Sequence, residues 1–321
     1  MYREKTICVV IPAYEEELLI GTVIETMPDF VDRMVVVDDA STDNTSERVR
    51  EWQAKLGERV KLIVHEKNAG VGAAIVTGYK YARDQKYDIT VVMAGDAQMA
   101  PDDLPDLLDP VVEDRADYSK GNRLFTGEAW HKIPKIRYLG NSILSLMTKV
   151  ASGYWNIADS QTGYTAANLT VLETLALDKV FKRYGMPNDF LVRLNIYDFR
   201  VVDVPVKPIY GVGEKSGIKY HKAIPRLSRL LWKLFLYRMV EKYIIRDFHP
   251  LIFFYALGFV AVPTATIMGF YLIIYRLVQG PVEPLMPIFA AFLFISGLQS
   301  SFFAMWFDME HNRHIERVSR K

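Results

Sequence analysis

Thiols are almost absent. Cys8 is the single cysteine among 321 residues, which excludes an internal disulfide framework. It falls inside the first apolar run, where a buried thiol is expected, and a reducing, cytosolic setting for the soluble part is compatible with it. A charge excess is lacking too: 39 Lys and Arg face 38 Asp and Glu, a formal net charge of +1, so no nucleic-acid partner is expected. No internal repeat and no long low-complexity linker is found, which argues against a repeat architecture. No secretory signal is expected, because Met1 to Thr6 is polar and the apolar run after it is short and stops at Pro12. There is no Walker loop. Gly70-x-Gly72 falls short of a full dinucleotide fingerprint and follows the third strand rather than the first, against a Rossmann dehydrogenase.

Long apolar runs, by contrast, are present. Leu251 to Tyr275 and Leu285 to Phe307 contain no Asp, Glu, Lys, Arg or His, and each exceeds the roughly 20 residues needed to cross a hydrocarbon core. Two in series, linked by the short Arg276 to Pro284, predict a membrane hairpin. Arg226, Arg229, Lys233, Arg238, Lys242 and Arg246 precede the first span. Arg313, Arg317, Arg320 and Lys321 follow the second, and the link offers only Arg276. The positive-inside rule then places the N-terminal domain and the tail in the cytoplasm. Pro225 to Phe248 is basic and amphipathic, as an interfacial helix is. Gly258, Ala261, Ala265, Gly269, Ala290, Ala291 and Gly297 permit close helix approach, so a homo-oligomer is a further expectation. The expected organisation is a domain over 1–210, a loop and interfacial helices over 211–249, spans within 250–307 and a basic tail over 308–321.

The first 210 residues alternate apolar β-favouring runs (Thr6 to Ile11, Met34 to Val37, Val60 to Val64, Ile89 to Met93) with helical patterns, which predicts a mostly parallel α/β sheet. Ligands bind beyond the carboxyl ends of such strands. There the chain places Pro12, Tyr14 and Glu16, then Asp38-Asp39, then Asn68-x-Gly70-x-Gly72, then Gly95-Asp96-Ala97-Gln98. An oxygen-bearing pair such as Asp96 and Gln98 can hold a hard divalent cation that also touches a phosphate.

Taken with Gly121-Asn122-Arg123, Asp159-x-Gln161-Thr162-Gly163-Tyr164 and Gly213-Glu214-Lys215-Ser216, these motifs resemble the family-two glycosyltransferases of GT-A fold. More narrowly, the chain is similar to the polyprenyl-phosphate glycosyltransferases, the group that includes dolichol-phosphate mannose synthases. The resemblance implies a GT-A, Rossmann-like catalytic domain followed by juxtamembrane amphipathic helices and a two-helix transmembrane hairpin. It implies inverting transfer of a hexose from a UDP- or GDP-sugar to a dolichyl or undecaprenyl phosphate, on a cell or endoplasmic-reticulum membrane. Pro12, Tyr14, Glu16, Asp39, Asn68 and Gly70 would hold the nucleoside, and Asp96 and Gln98 the diphosphate with Mg²⁺ or Mn²⁺. Arg123 and Arg137 match the arginines for the acceptor phosphate. Asp189 stands where related enzymes keep a base, although it reads equally as a positioning group or a helix cap. Asp159 and Gln161 would line the sugar pocket, and Lys215, Ser216 and Lys219 belong to a loop that closes over the diphosphate. Ala94 departs from the family pattern, standing where a first aspartate is usual. Two other readings remain: a processive polysaccharide synthase, although no Gln-x-x-Arg-Trp stretch is found, and a non-catalytic membrane-bound nucleotide binder, which Ala94 favours.

Overall fold

The computed structural model describes residues 1–124, 135–207, 209 and 220–316. The chain divides into two compact units, Met1–Phe235 with Ile315, and Leu236–His314.

The first unit is built on seven strands: β1 (Ile7–Ala13), β2 (Arg33–Asp38), β3 (Val60–Val64), β4 (Ile89–Val92), β5 (Tyr118–Asn122), β6 (Thr165–Asn168) and β7 (Val201–Pro205). Their order is β3-β2-β1-β4-β6-β5-β7. The first four run parallel, with Val10 opposite both Val35 and Val92. Strand β6 is antiparallel to β4 and β5, and β5 is parallel to β7. The helices are α1 (Ile20–Glu25), α2 (Thr45–Leu56), α3 (Val71–Asp84), α4 (Leu104–Val112), α5 (Lys135–Ser152), α6 (Leu169–Thr174) and α7 (Met186–Ile196).

Strand β1 is apolar at successive positions because both its faces are covered. Ile7, Val9 and Ile11 pack with Ile20, Val23, Val49, Leu104 and Leu107. Cys8 and Val10 pack with Ala74, Tyr79, Leu172 and Phe190. Burying each such aliphatic side chain contributes about 1.5–3 kcal/mol. Burial also pushes the Cys8 thiol well above its ordinary range, so it stays a packing residue. Strand β6 was not expected. Thr165-Ala166-Ala167-Asn168 lacks the β-branched or aromatic run that announces a strand, and its pairing to β4 and β5 makes it one.

Helix α8 (Tyr220–Val240) leads into a π-helical turn, Glu241–Arg246, then α9 (Leu251–Val278) and α10 (Leu285–Glu316). Both α9 and α10 are long and apolar enough to cross a membrane, and only 28% and 22% of their most apolar windows are buried. The core helix of a single folded chain is mostly buried, and these two are not. Their small residues are spent on each other. A Cβ on Gly258 would meet Ser301 Oγ at 2.1 Å, and one on Gly297 would meet Ala261 Cβ at 2.9 Å.

The second unit differs from expectation at its polar end. Arg238 and Lys242, read from sequence as part of a basic surface, are buried. Arg238 Nη1 and Nη2 each donate to Asp308 at 2.8 Å. Lys242 Nζ donates to Asn312 Oδ1 at 2.8 Å, and Asn312 Nδ2 donates to Asp308 Oδ1 at 2.9 Å. The chain after the second apolar run therefore continues as helix through Glu316 and supplies the carboxylate that neutralises Arg238.

Candidate active site

Three adjacent turns form one edge of the site, and they are joined by side chains. After β1, the backbone N–H groups of Glu15, Glu16 and Glu17 donate to Ser41 Oγ (2.9 Å), Thr45 Oγ1 (2.9 Å) and Asp43 Oδ2 (3.3 Å) of the turn after β2. Asn44 N returns a bond to Glu17 Oε2 at 3.0 Å. Gly95 N, after β4, donates to Pro12 O at 3.1 Å. Glu15, Ala40 and Ala97 all have positive φ, of 57°, 62° and 56°. Each left-handed non-glycine residue costs roughly 1 kcal/mol or more, so this edge stores strain that the cross-turn bonds hold in place.

Pro12 is buried in β1, Tyr14 is exposed beside it, and Asn68 is exposed in the glycine loop. Asp39 is 2% exposed and its carboxylate faces inward. It accepts from Ala69 N at 2.9 Å and Gly70 N at 2.7 Å, and pairs with His65 Nδ1 at 2.8 Å. Its observed partners are thus the loop that borders the site. The two glycines of that loop are required by packing. A Cβ on Gly70, whose φ is +98°, would lie 2.5 Å from Lys182 O, and one on Gly72 would lie 2.4 Å from Phe181 O. The same neighbouring loop is pinned by Asp189, which accepts from Phe181 N at 2.7 Å and pairs with Arg193 Nε at 3.0 Å. Asp189 is buried in the first turn of α7. Burial raises its pKa while Arg193 and the Phe181 N–H oppose the rise.

Asp96 and Gln98 lie in the turn after β4, half-exposed, with Gln98 N donating to Asp96 Oδ1 at 3.1 Å. Glu16 reports on the charge of this edge. Burial, then the carboxylates of Asp96 and Asp43, push its pKa up to about 7. Among the described residues, no three His, Cys, Asp or Glu side chains form a ready metal cage. The donor atoms on offer are oxygens, and the carboxylates of Asp96 and Asp43 add to the burial that disfavours ionised Glu16. That fits a hard divalent cation completed by phosphate oxygens.

A second set of charges surrounds the end of β5. Arg123 Nε and Nη2 donate to Asp159 Oδ2 and Oδ1 at 2.7 and 3.2 Å. The Arg123 side chain is 25% exposed and that of Asp159 only 3%. Despite its burial, Asp159 is held below the usual carboxylate range by Arg123 and Lys120. Gln161 N also bonds Asp159, and Gln161 Nε2 donates to Asn188 Oδ1 at 3.2 Å. Lys120 is fully buried and donates to Thr162 O. Asp203, on β7, accepts from Ala158 N at 2.7 Å and Asn122 Nδ2 at 2.9 Å. The side chain of Arg137, and all of Lys215, Ser216 and Lys219, lie outside the described residues.

Sequence reasoning passed over Lys120, Asp203, Arg193 and Asn188. The first two carried a signal, since a charge inside a buried strand is rare unless paired.

Residues 8–175 match the family model described as glycosyl transferase family 2. The chain belongs to that family and is a glycosyltransferase. It is 32% identical over 219 residues to the UDP-N-acetylglucosamine–dolichyl-phosphate N-acetylglucosaminyltransferase of Methanococcus voltae, covering 64% of this chain and 87% of that one. It is 30% identical over 228 residues to the polyprenol monophosphomannose synthase of Mycolicibacterium smegmatis, covering 68% and 84%. The fold matches glucosyl-3-phosphoglycerate synthase of Mycobacterium tuberculosis, solved with Mn²⁺ and UDP, at a TM-score of 0.52 and 20% identity, over 73% of this chain and 80% of that one. The GT-A expectation is therefore met. The two relatives from Methanococcus voltae and Mycolicibacterium smegmatis are named for sugar transfer to dolichyl phosphate and for polyprenol monophosphomannose synthesis.

Proposed function

We propose that this protein transfers a hexose, with inversion, from a UDP- or GDP-sugar to a polyprenyl phosphate at the cytoplasmic face of a membrane. The observation that carries the reading is a site with two chemically opposite edges. One gathers carboxylates at the ends of β1, β2 and β4. The other presents Arg123, a fork suited to phosphate, in a chain that also carries two membrane-length helices.

In this reading the exposed Tyr14 and the loop held by Asp39 border the nucleoside. Asp96 and Gln98 would hold Mg²⁺ or Mn²⁺ together with the donor diphosphate. When bound there, such an ion would supply charge stabilisation for the departing nucleoside diphosphate. The acceptor phosphate, with a second pKa near 6, is ionised at neutral pH and needs no strong base. Asp189, with both oxygens engaged, then serves to hold the 179–183 loop against Gly70 and Gly72. Arg123 binds the acceptor phosphate and lowers its repulsion from the donor. The exposed Arg226, Arg229, Lys233 and Arg246 before the spans draw anionic lipid heads to the surface.

The test is transfer by the purified full chain, given polyprenyl phosphate and a panel of UDP- and GDP-sugars, with and without Mg²⁺ or Mn²⁺. Metal-dependent transfer from one donor supports the reading. Nucleotide binding with no transfer would overturn it in favour of the non-catalytic binder that Ala94 suggests.

A further inference from the structure

The loop before β6 joins the two edges of the site. Its Asp159 end holds Arg123. Its other end lies against the turn after β4: Tyr164 Oη donates to Ala100 O at 3.0 Å, and a Cβ on Gly163 would meet Met99 Cε at 3.6 Å. Met99 directly follows Gln98. In the proposed reaction the hexose leaves a diphosphate at Asp96 and Gln98 for a phosphate at Arg123, so it passes along this loop. Gln161 stands between the two ends, half-buried. Its Nε2 donates to Ser160 Oγ at 2.8 Å and to Asn188 Oδ1 at 3.2 Å. Its Oε1 accepts no bond among the described residues and is not sealed off from solvent.

Asn188 is fully buried in the first turn of α7. Its Oδ1 also accepts from Thr148 Oγ1 at 3.1 Å, whereas its Nδ2 is buried with no hydrogen-bond partner among the described residues. An orphaned buried amide group is costly, and an apolar side chain of the same shape would avoid that cost. Packing alone therefore does not account for the asparagine, but its bond to Gln161 does. Where two amides meet, one end donates and the other accepts, so turning both over only exchanges donor for acceptor at the outer end of Gln161. Either way that outer end keeps one direction, and a sugar hydroxyl, which both donates and accepts, matches it. A freely rotating amide would follow a hydroxyl to whichever position it occupied, whereas a fixed one favours a single epimer. We infer that Asn188 and Ser160 are positioning residues which, by fixing the Gln161 amide, select the configuration of the hexose that is transferred. The inference deepens the proposed function and rests on it.

The test is the ratio of kcat/KM between the preferred nucleotide sugar and its next-best epimer on the same nucleotide, measured on the purified full chain with polyprenyl phosphate. Sharing the nucleotide cancels recognition of the base. Gln161→Ala lowers the ratio about tenfold, the worth of one hydrogen bond to the favoured hydroxyl. Asn188→Ala lowers it by a similar factor. The double variant loses no more than Gln161→Ala alone, because Asn188 acts through Gln161. A merely structural role for Asn188 would reduce turnover of both donors alike and leave the ratio untouched. An unchanged ratio in either single variant, or losses that multiply in the double variant, overturns the inference. Should Asn188→Ala not fold, Ser160→Ala removes the other bond on the same end of Gln161 and is read by the same outcomes. Wild-type protein that transfers sugar while the variants keep its ratio overturns this inference alone. Wild-type protein that makes no lipid-linked sugar overturns the functional reading, and this inference with it.

Discussion

The two edges of the site treat charge in opposite ways. At the ends of β1, β2 and β4, burial first and then the carboxylates of Asp96 and Asp43 hold Glu16 up at about 7. At the end of β5, Asp159 is paired with Arg123, which helps to hold it below the usual carboxylate range despite its burial. The first edge is suited to a cation arriving with the donor. The second presents an arginine fork, which suits an anion. In the proposed reaction, one sheet would therefore meet two anionic substrates with two different arrangements of charge.

The largest effect that could break this comparison is at Asp96. Asp96→Ala is expected to cut transfer by about a hundredfold or more at saturating acceptor, in a radiolabelled-sugar rate assay. Near wild-type rates would remove the donor edge from the account. Arg123→Lys keeps a cation beside Asp159 but loses the fork. It should raise the acceptor KM about tenfold and leave the donor KM alone, so a change confined to the donor would reverse the assignment of the edges.

Asp189→Asn separates a base from a clamp. The clamp reading expects a lower melting temperature, from about 1–3 kcal/mol of lost stability, with kcat within about tenfold of wild type. A far greater loss of kcat in a fully folded variant would restore Asp189 as a base.

The smallest effect is at Glu16. Its folded pKa lies above the unfolded value, so the folded state binds more protons between about pH 4.5 and 7. Stability from this group is then present below the unfolded pKa and lost as pH rises through about 7. Glu16→Gln should stabilise the protein at pH 8 by about 1 kcal/mol after discounting for solvent screening. The gain should vanish near pH 4, as followed by thermal melting.

Much of this was legible in the residues. Strands β1 to β4 announce themselves as apolar runs, and each ends in a turn whose polar residues do line one edge of the sheet. The hairpin follows from two uncharged runs. What could not be read depends on contacts distant in sequence. Strand β6 exists because β4 and β5 flank it. Asp39, expected beside the nucleoside, also accepts from the Ala69 and Gly70 amides some 30 residues on. The glycines at 70 and 72 are pressed against the backbone of Phe181 and Lys182, more than 100 residues away. Arg238 reads as an interfacial cation because its partner, Asp308, lies 70 residues on.

The central claim is tested most directly by the mass and linkage of the lipid product made by the purified full chain from polyprenyl phosphate and its preferred nucleotide sugar. The account predicts a single hexose joined through one phosphate, with the anomeric configuration inverted relative to the donor. A polymeric glycan, a retained configuration, or a lipid acceptor returned unmodified would contradict it.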